Sequence, residues 1–99
     1  MYINVDNQKT YIATGSKDHI QGNLGITFVH GTAMDHTVWT LASRHFARRG
    51  LNILAVDLPG HGRSEGDVIS SIEGMADWVI KALDASNQDK TIIVGHSMG

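Results

Sequence analysis

A short apolar run, Thr91-Ile92-Ile93-Val94, passes directly into Gly95-His96-Ser97-Met98-Gly99, and that junction constrains the chain more than any other stretch. The run has the length and β-branched character of a buried strand, and the five residues after it fit G-x-S-x-G. In that pattern a serine sits on a strained strand-to-helix turn, with its hydroxyl projecting above the sheet. The two glycines are needed because a side chain at either place would collide with backbone in so tight a turn. Three fixed letters make a loose pattern, so the rest of the sequence must supply the context.

That context is a regular alternation of elements. Tyr2 to Val5 alternates apolar and polar, Asp6 to Lys9 reads as a turn, and Thr10 to Thr14 resumes β character, which together predict a hairpin. Gly15 to Gly25 is a polar, glycine-broken loop. Ile26-Thr27-Phe28-Val29 and Ile53-Leu54-Ala55-Val56 are nearly all apolar, as strands covered on both faces are. Between Asp35 and Gly50 the apolar residues Val38, Leu41, Ala42 and Phe46 recur at helical spacing, with Asp35 or Thr37 as the cap and Gly50 as the stop. A second helix follows a capping box at Ser70 and Glu73, with Ile72, Met75, Ala76, Val79 and Leu83 on one face. Trp39 and Trp78 read as packing residues on the two helices, and Arg44, Arg48 and Arg49 as a solvated face.

Strand, helix, strand, helix, strand predicts right-handed crossovers and a parallel sheet behind an antiparallel hairpin. The fold class is α/β. In such a sheet ligands bind at the carboxyl rim, where His30-Gly31-Thr32, Asp57 to Ser64 and Gly95 to Gly99 converge. Composition nominates little else. The net charge is −2, with no basic stripe for nucleic acid. No segment approaches the roughly 18 apolar residues of a membrane span, and the start of the chain lacks a signal-peptide pattern. There is no cysteine, so an intracellular, cytoplasmic setting is the plainer expectation. Gly60-His61-Gly62 begins like a dinucleotide fingerprint, but its next glycine, Gly66, falls one residue late and no helix opens there. His30, His36, His61 and His96 lack metal-ligand spacing and are expected to bond backbone instead. Neither cofactor nor metal is expected.

With these residues in place, the chain from about residue 24 resembles the amino-terminal half of an α/β-hydrolase of the esterase, lipase and non-metal haloperoxidase kind. The resemblance rests on Phe28-Val29-His30-Gly31-Thr32, Val56-Asp57-Leu58-Pro59-Gly60-His61-Gly62-Arg63-Ser64 and Val94-Gly95-His96-Ser97-Met98-Gly99, in that order. It implies strand order 1-2-4-3-5, with residues 1–99 forming the first part of one domain cut off at the nucleophile elbow. It further implies Ser97 as nucleophile and backbone N–H groups of Thr32 and Met98 as the oxyanion hole, with Ala33 the alternative to Thr32. Relatives that open epoxides or remove halide carry aspartate at the place of Ser97, so serine points to a small-molecule ester, thioester, lactone or amide. Asp57 looks like a triad acid but stands on the wrong strand, which leaves it a loop-bracing role. In this family the acid and then the histidine follow the nucleophile, so both are expected beyond residue 99 and the chain is expected to be a fragment. The alternative is a non-catalytic relative that binds a small ligand. The isolated 99 residues should therefore express poorly and hydrolyse esters no faster than a Ser97→Ala control, as a spectrophotometric esterase assay would show.

Overall fold

The computed structural model describes residues 1–96. Its centre is a five-stranded sheet in the order β1-β2-β4-β3-β5, formed by β1 (Tyr2–Val5), β2 (Gln8–Ala13), β3 (Gly25–Val29), β4 (Asn52–Val56) and β5 (Thr91–Gly95). β1 and β2 pair antiparallel, as do β2 and β4, whereas β3 runs parallel to both β4 and β5. The expected order is the observed one.

The hairpin turn is tighter than the sequence suggested. Val5 pairs with Gln8, so the loop is only Asp6-Asn7, with φ of 52° and 63°. Asp and Asn tolerate the left-handed region better than most residues, and two such residues in succession match the twist of the flanking strands.

β3 and β4 are buried along their whole lengths, and alternate side chains enter two separate cores. Val29, Leu54, Val56 and Ile12 join Trp78, Val79 and Ala82 on one face. Ile26, Phe28, Ile53 and Ala55 join Ala47, with Trp39, Ala42, Phe46 and Val94 packed around them, on the other. Period two in a strand sends neighbours to opposite faces, and a helix covers each face as a parallel sheet requires.

The first helix differs from its predicted form. His36–Trp39 is a 3-10 turn capped by Asp35, and the α-helix proper, α1, is Thr40–Ala47. Three residues per turn instead of 3.6 rotates the phase, so Trp39 turns inward to stack on Phe28 at 4.8 Å. Val38 and Leu41, expected inside, are 49% and 82% exposed. Gly50, at φ 84°, does end the segment, and its N–H bonds Ala47 O. Arg44, Arg48 and Arg49 are exposed as expected.

The helix α2, Ile72–Ala85, begins one residue later than the predicted capping box: Ser71, not Ser70, accepts from Gly74 N. A Cβ on Gly74 would lie 2.8 Å from Ser71 Oγ, so glycine at the third position lets the cap close. The buried face of the helix is Trp78, Val79 and Ala82, with Met75 and Leu83 packed beside it, and Ile72 is left 81% exposed. Ile72 and Ala76 instead line an open apolar cleft of about 530 Å³ shared with Ile93 and Val68.

If the core is partitioned in this way, Leu54→Ala, at a site 1% exposed, should cost about 2–5 kcal/mol. Leu41→Ala should change stability by less than about 0.5 kcal/mol, both read from urea unfolding midpoints.

Candidate active site

The two parallel pairs fix what meets at the carboxyl rim. β3 and β5 are in register to their ends, Val29 opposite Gly95, and His96 N–H continues the ladder to Val29 O at 3.0 Å. The chain therefore arrives at residue 96 beside the turn that follows β3. Between β4 and β5 the strand order reverses about β3, and crevices at such reversals are where open α/β sheets take ligands. Thr32 and Gly95 both line the apolar cleft at this point. Ser97 and Met98 lie outside the described residues.

The turn itself is Gly31 to Met34, closed by Met34 N–H to Gly31 O. Its third residue, Ala33, has φ 63°. A residue with a Cβ resists that conformation by about 1–2 kcal/mol, and such strain persists only where surrounding contacts over-determine it. The contact here is His61: Ala33 N–H donates to His61 Nε2 at 3.2 Å. Because Nε2 accepts, the ring proton is on Nδ1, which donates to Pro59 O at 3.0 Å. Ala33, the alternative to Thr32 as a donor toward substrate, has its amide committed to this bond.

His30 is arranged in the same way. It is fully buried, its Nε2 accepts Leu58 N–H at 3.0 Å, and its Nδ1–H donates to Gly31 O at 2.7 Å. Burial lowers its pKa, and the nearby His61 acts in the same direction, against the opposing bond to Gly31 and the carboxylates Asp57 and Asp35. Both histidines thus bond backbone, as expected from the sequence, and their rings lie 5.0 Å apart.

Asp57, at the end of β4 and 0% exposed, is the brace the sequence suggested. Its Oδ1 accepts His36 N–H at 2.7 Å and His36 Nδ1–H at 2.9 Å, and its Oδ2 accepts Arg63 N–H at 2.9 Å. Its own carbonyl accepts Ser64 Oγ–H at 2.6 Å. Hydrogen bonds to a buried carboxylate are what make its burial tolerable. Gly62 passes so close that a Cβ there would meet the Asp57 carboxylate at 2.4 Å, at φ 51°, so that position admits only glycine without rearrangement. Asp35, His36 and Asp57 bring ligand-type atoms within 4.8 Å of one another. The His36 Nδ1 and both Asp57 oxygens are already spent on each other and on backbone, and the set works as a clamp. Gly60-His61-Gly62 forms a turn with no helix opening from it.

His36, expected with the other histidines to bond backbone, instead bonds the Asp57 carboxylate through its ring Nδ1. A lone histidine several residues past a strand carries no local pattern. Only the adjacency of β3 and β4 brings it to Asp57.

A parallel core with a cleft at its strand-order reversal defines the class: an α/β protein whose sheet opens at its carboxyl rim. The alpha/beta hydrolase family model matches residues 28–99, and the chain belongs to that family. It is similar to a pimeloyl-[acyl-carrier protein] methyl ester esterase of Citrobacter koseri, 34% identical over 79 residues that cover 80% of this chain and 29% of that protein. It is also similar to the esterase YbfF of Escherichia coli, 42% identical over 48 residues, covering 48% of this chain and 19% of the relative. The solved structure of Est816, an N-acyl homoserine lactone degrading enzyme, superposes with a TM-score of 0.79 at 28% identity, over 99% of this chain and 36% of that one. The chain thus spans well under half the length of each. No helix among the described residues is long and apolar enough to cross a membrane.

A group whose folded pKa is lowered leaves the unfolded chain the stronger proton binder, so stability rises with pH there. Unfolding free energy should accordingly fall as pH drops below the ordinary His30 value of 6.5, and the slope should be shallower in His30→Gln, measured by urea titration at a series of pH values.

Proposed function

We propose that this chain carries the nucleophile and oxyanion-binding half of a serine hydrolase that cleaves a carboxylic ester or related acyl bond of a small molecule through an acyl-enzyme. The observation that supports it most is the β3–β5 register, which ends with His96 N–H on Val29 O, so that Gly95 lines the same cleft as Thr32. Esterase and lactone-degrading relatives point to the same bond type.

In this reading Ser97 Oγ attacks the acyl carbon, its proton passes to a histidine, and the alcohol leaves carrying that proton. Backbone N–H groups of Thr32 and Met98 hold the developing oxyanion. One such donor supplies about 3–4 kcal/mol of transition-state stabilisation, and because both are backbone groups, side-chain changes at either residue alter little. The histidine and the carboxylate that orients it come from sequence beyond residue 99, following the family's chain order. A cytoplasmic location goes with the absence of cysteine.

A fluorophosphonate probe should label the full-length protein, and Ser97→Ala should abolish labelling and lower ester turnover at least about a thousandfold. A full-length protein that resists the probe, yet binds small acyl compounds, would instead be a ligand-binding member of the family.

A further inference from the structure

The geometry points to His61 as a positioning residue: by accepting the Ala33 N–H it holds the turn that carries Thr32 in the one conformation that directs the Thr32 amide toward the crevice. The direction of the Thr32 amide rests on the serine-hydrolase reading above; the hold on the turn does not.

The turn needs an outside hold. Ala33 is in the left-handed region, a conformation that the residue itself disfavours, and the turn's own closing bond is a 3.2 Å contact from Met34 N–H to Gly31 O. His61 reaches Ala33 from a segment that is itself fixed on every side. Its N–H bonds Leu58 O at 2.9 Å, and its carbonyl accepts Ser64 N–H at 3.0 Å. Its Nδ1–H is held by Pro59 O, and its ring rests on His30, whose two nitrogens are both committed. Gly60 and Gly62 flank it at φ 74° and 51°, and Asp57 leaves no room for a Cβ at 62. The loop after β4 therefore grips the loop after β3 at two points, Ala33 through His61 and His36 through Asp57.

One consequence distinguishes this hold from simple packing: the His61 ring works as an acceptor, so another acceptor of similar reach should restore the hold.

Amide hydrogen exchange on the 15N-labelled full-length protein tests the hold without needing activity. His61→Ala should speed exchange at Ala33 at least about tenfold while Leu54 keeps its protection, and His61→Gln, whose carboxamide oxygen can accept, should restore most of it. With a p-nitrophenyl ester, His61→Ala should lower kcat about 10- to 100-fold with KM within about twofold, the pattern of a contact that matters only in the transition state. Unchanged Ala33 exchange in His61→Ala would overturn the inference, as would altered exchange with kcat intact. If the wild-type enzyme turns over no ester and resists the fluorophosphonate, the acyl-transfer reading fails, and the exchange measurement still decides whether His61 holds the turn.

Discussion

Everything at the rim depends on β3 being paired on both edges. Its five residues are matched to Asn52–Val56 on one side and Thr91–Gly95 on the other, and each of them is buried. A parallel strand in that situation cannot slip by one residue without exchanging its two faces, which would put Phe28 into the core of Val29. The register is thus set by apolar packing on both faces at once. Chemistry at the carboxyl end inherits that precision, since Val29, Val56 and Gly95 end in line and the three loops begin from one edge.

The loops are ordered by polar contacts of a different kind. His30 and Asp57 serve backbone N–H groups that are buried or half-buried. An unpaired buried amide costs about 1–3 kcal/mol, so these side chains are as necessary to the rim as the apolar residues are to the sheet. The ring nitrogens of His30 and His61 are thereby occupied in holding the main chain.

Much of this was legible in the residues. The apolar runs at 26–29, 53–56 and 91–94 gave strands in the right places because burial on both faces leaves an unbroken aliphatic signature. Gly50 marked a helix end because a left-handed stop favours glycine. The failures have equally local causes. Val38 and Leu41 fall on the core face of a uniform 3.6-residue period, whereas a 3-10 turn opens that helix. Ser70 and Ser71 offer the same hydroxyl, and the choice between them fell to the space left by Gly74. The partnership of His36 with Asp57 joins residues 21 apart in sequence, and no short pattern encodes it. The commitment of the Ala33 amide, likewise, comes only from a side chain in another loop.

The amino-terminal hairpin meets the rest of the sheet along a short seam, Ile12 with Val56 and Ala13 with Ala55. Beyond that seam it holds the loop after β4 directly: Tyr11 O accepts Asp57 N–H, Tyr11 N–H donates to Ser64 Oγ, and Lys9 exchanges bonds with Glu65 through backbone and side chain. The first thirteen residues therefore act as a buttress standing behind the very loop that clamps the turn at 31–34. Fraying at the outer edge of the sheet has a mechanical route inward to the turn at 31–34.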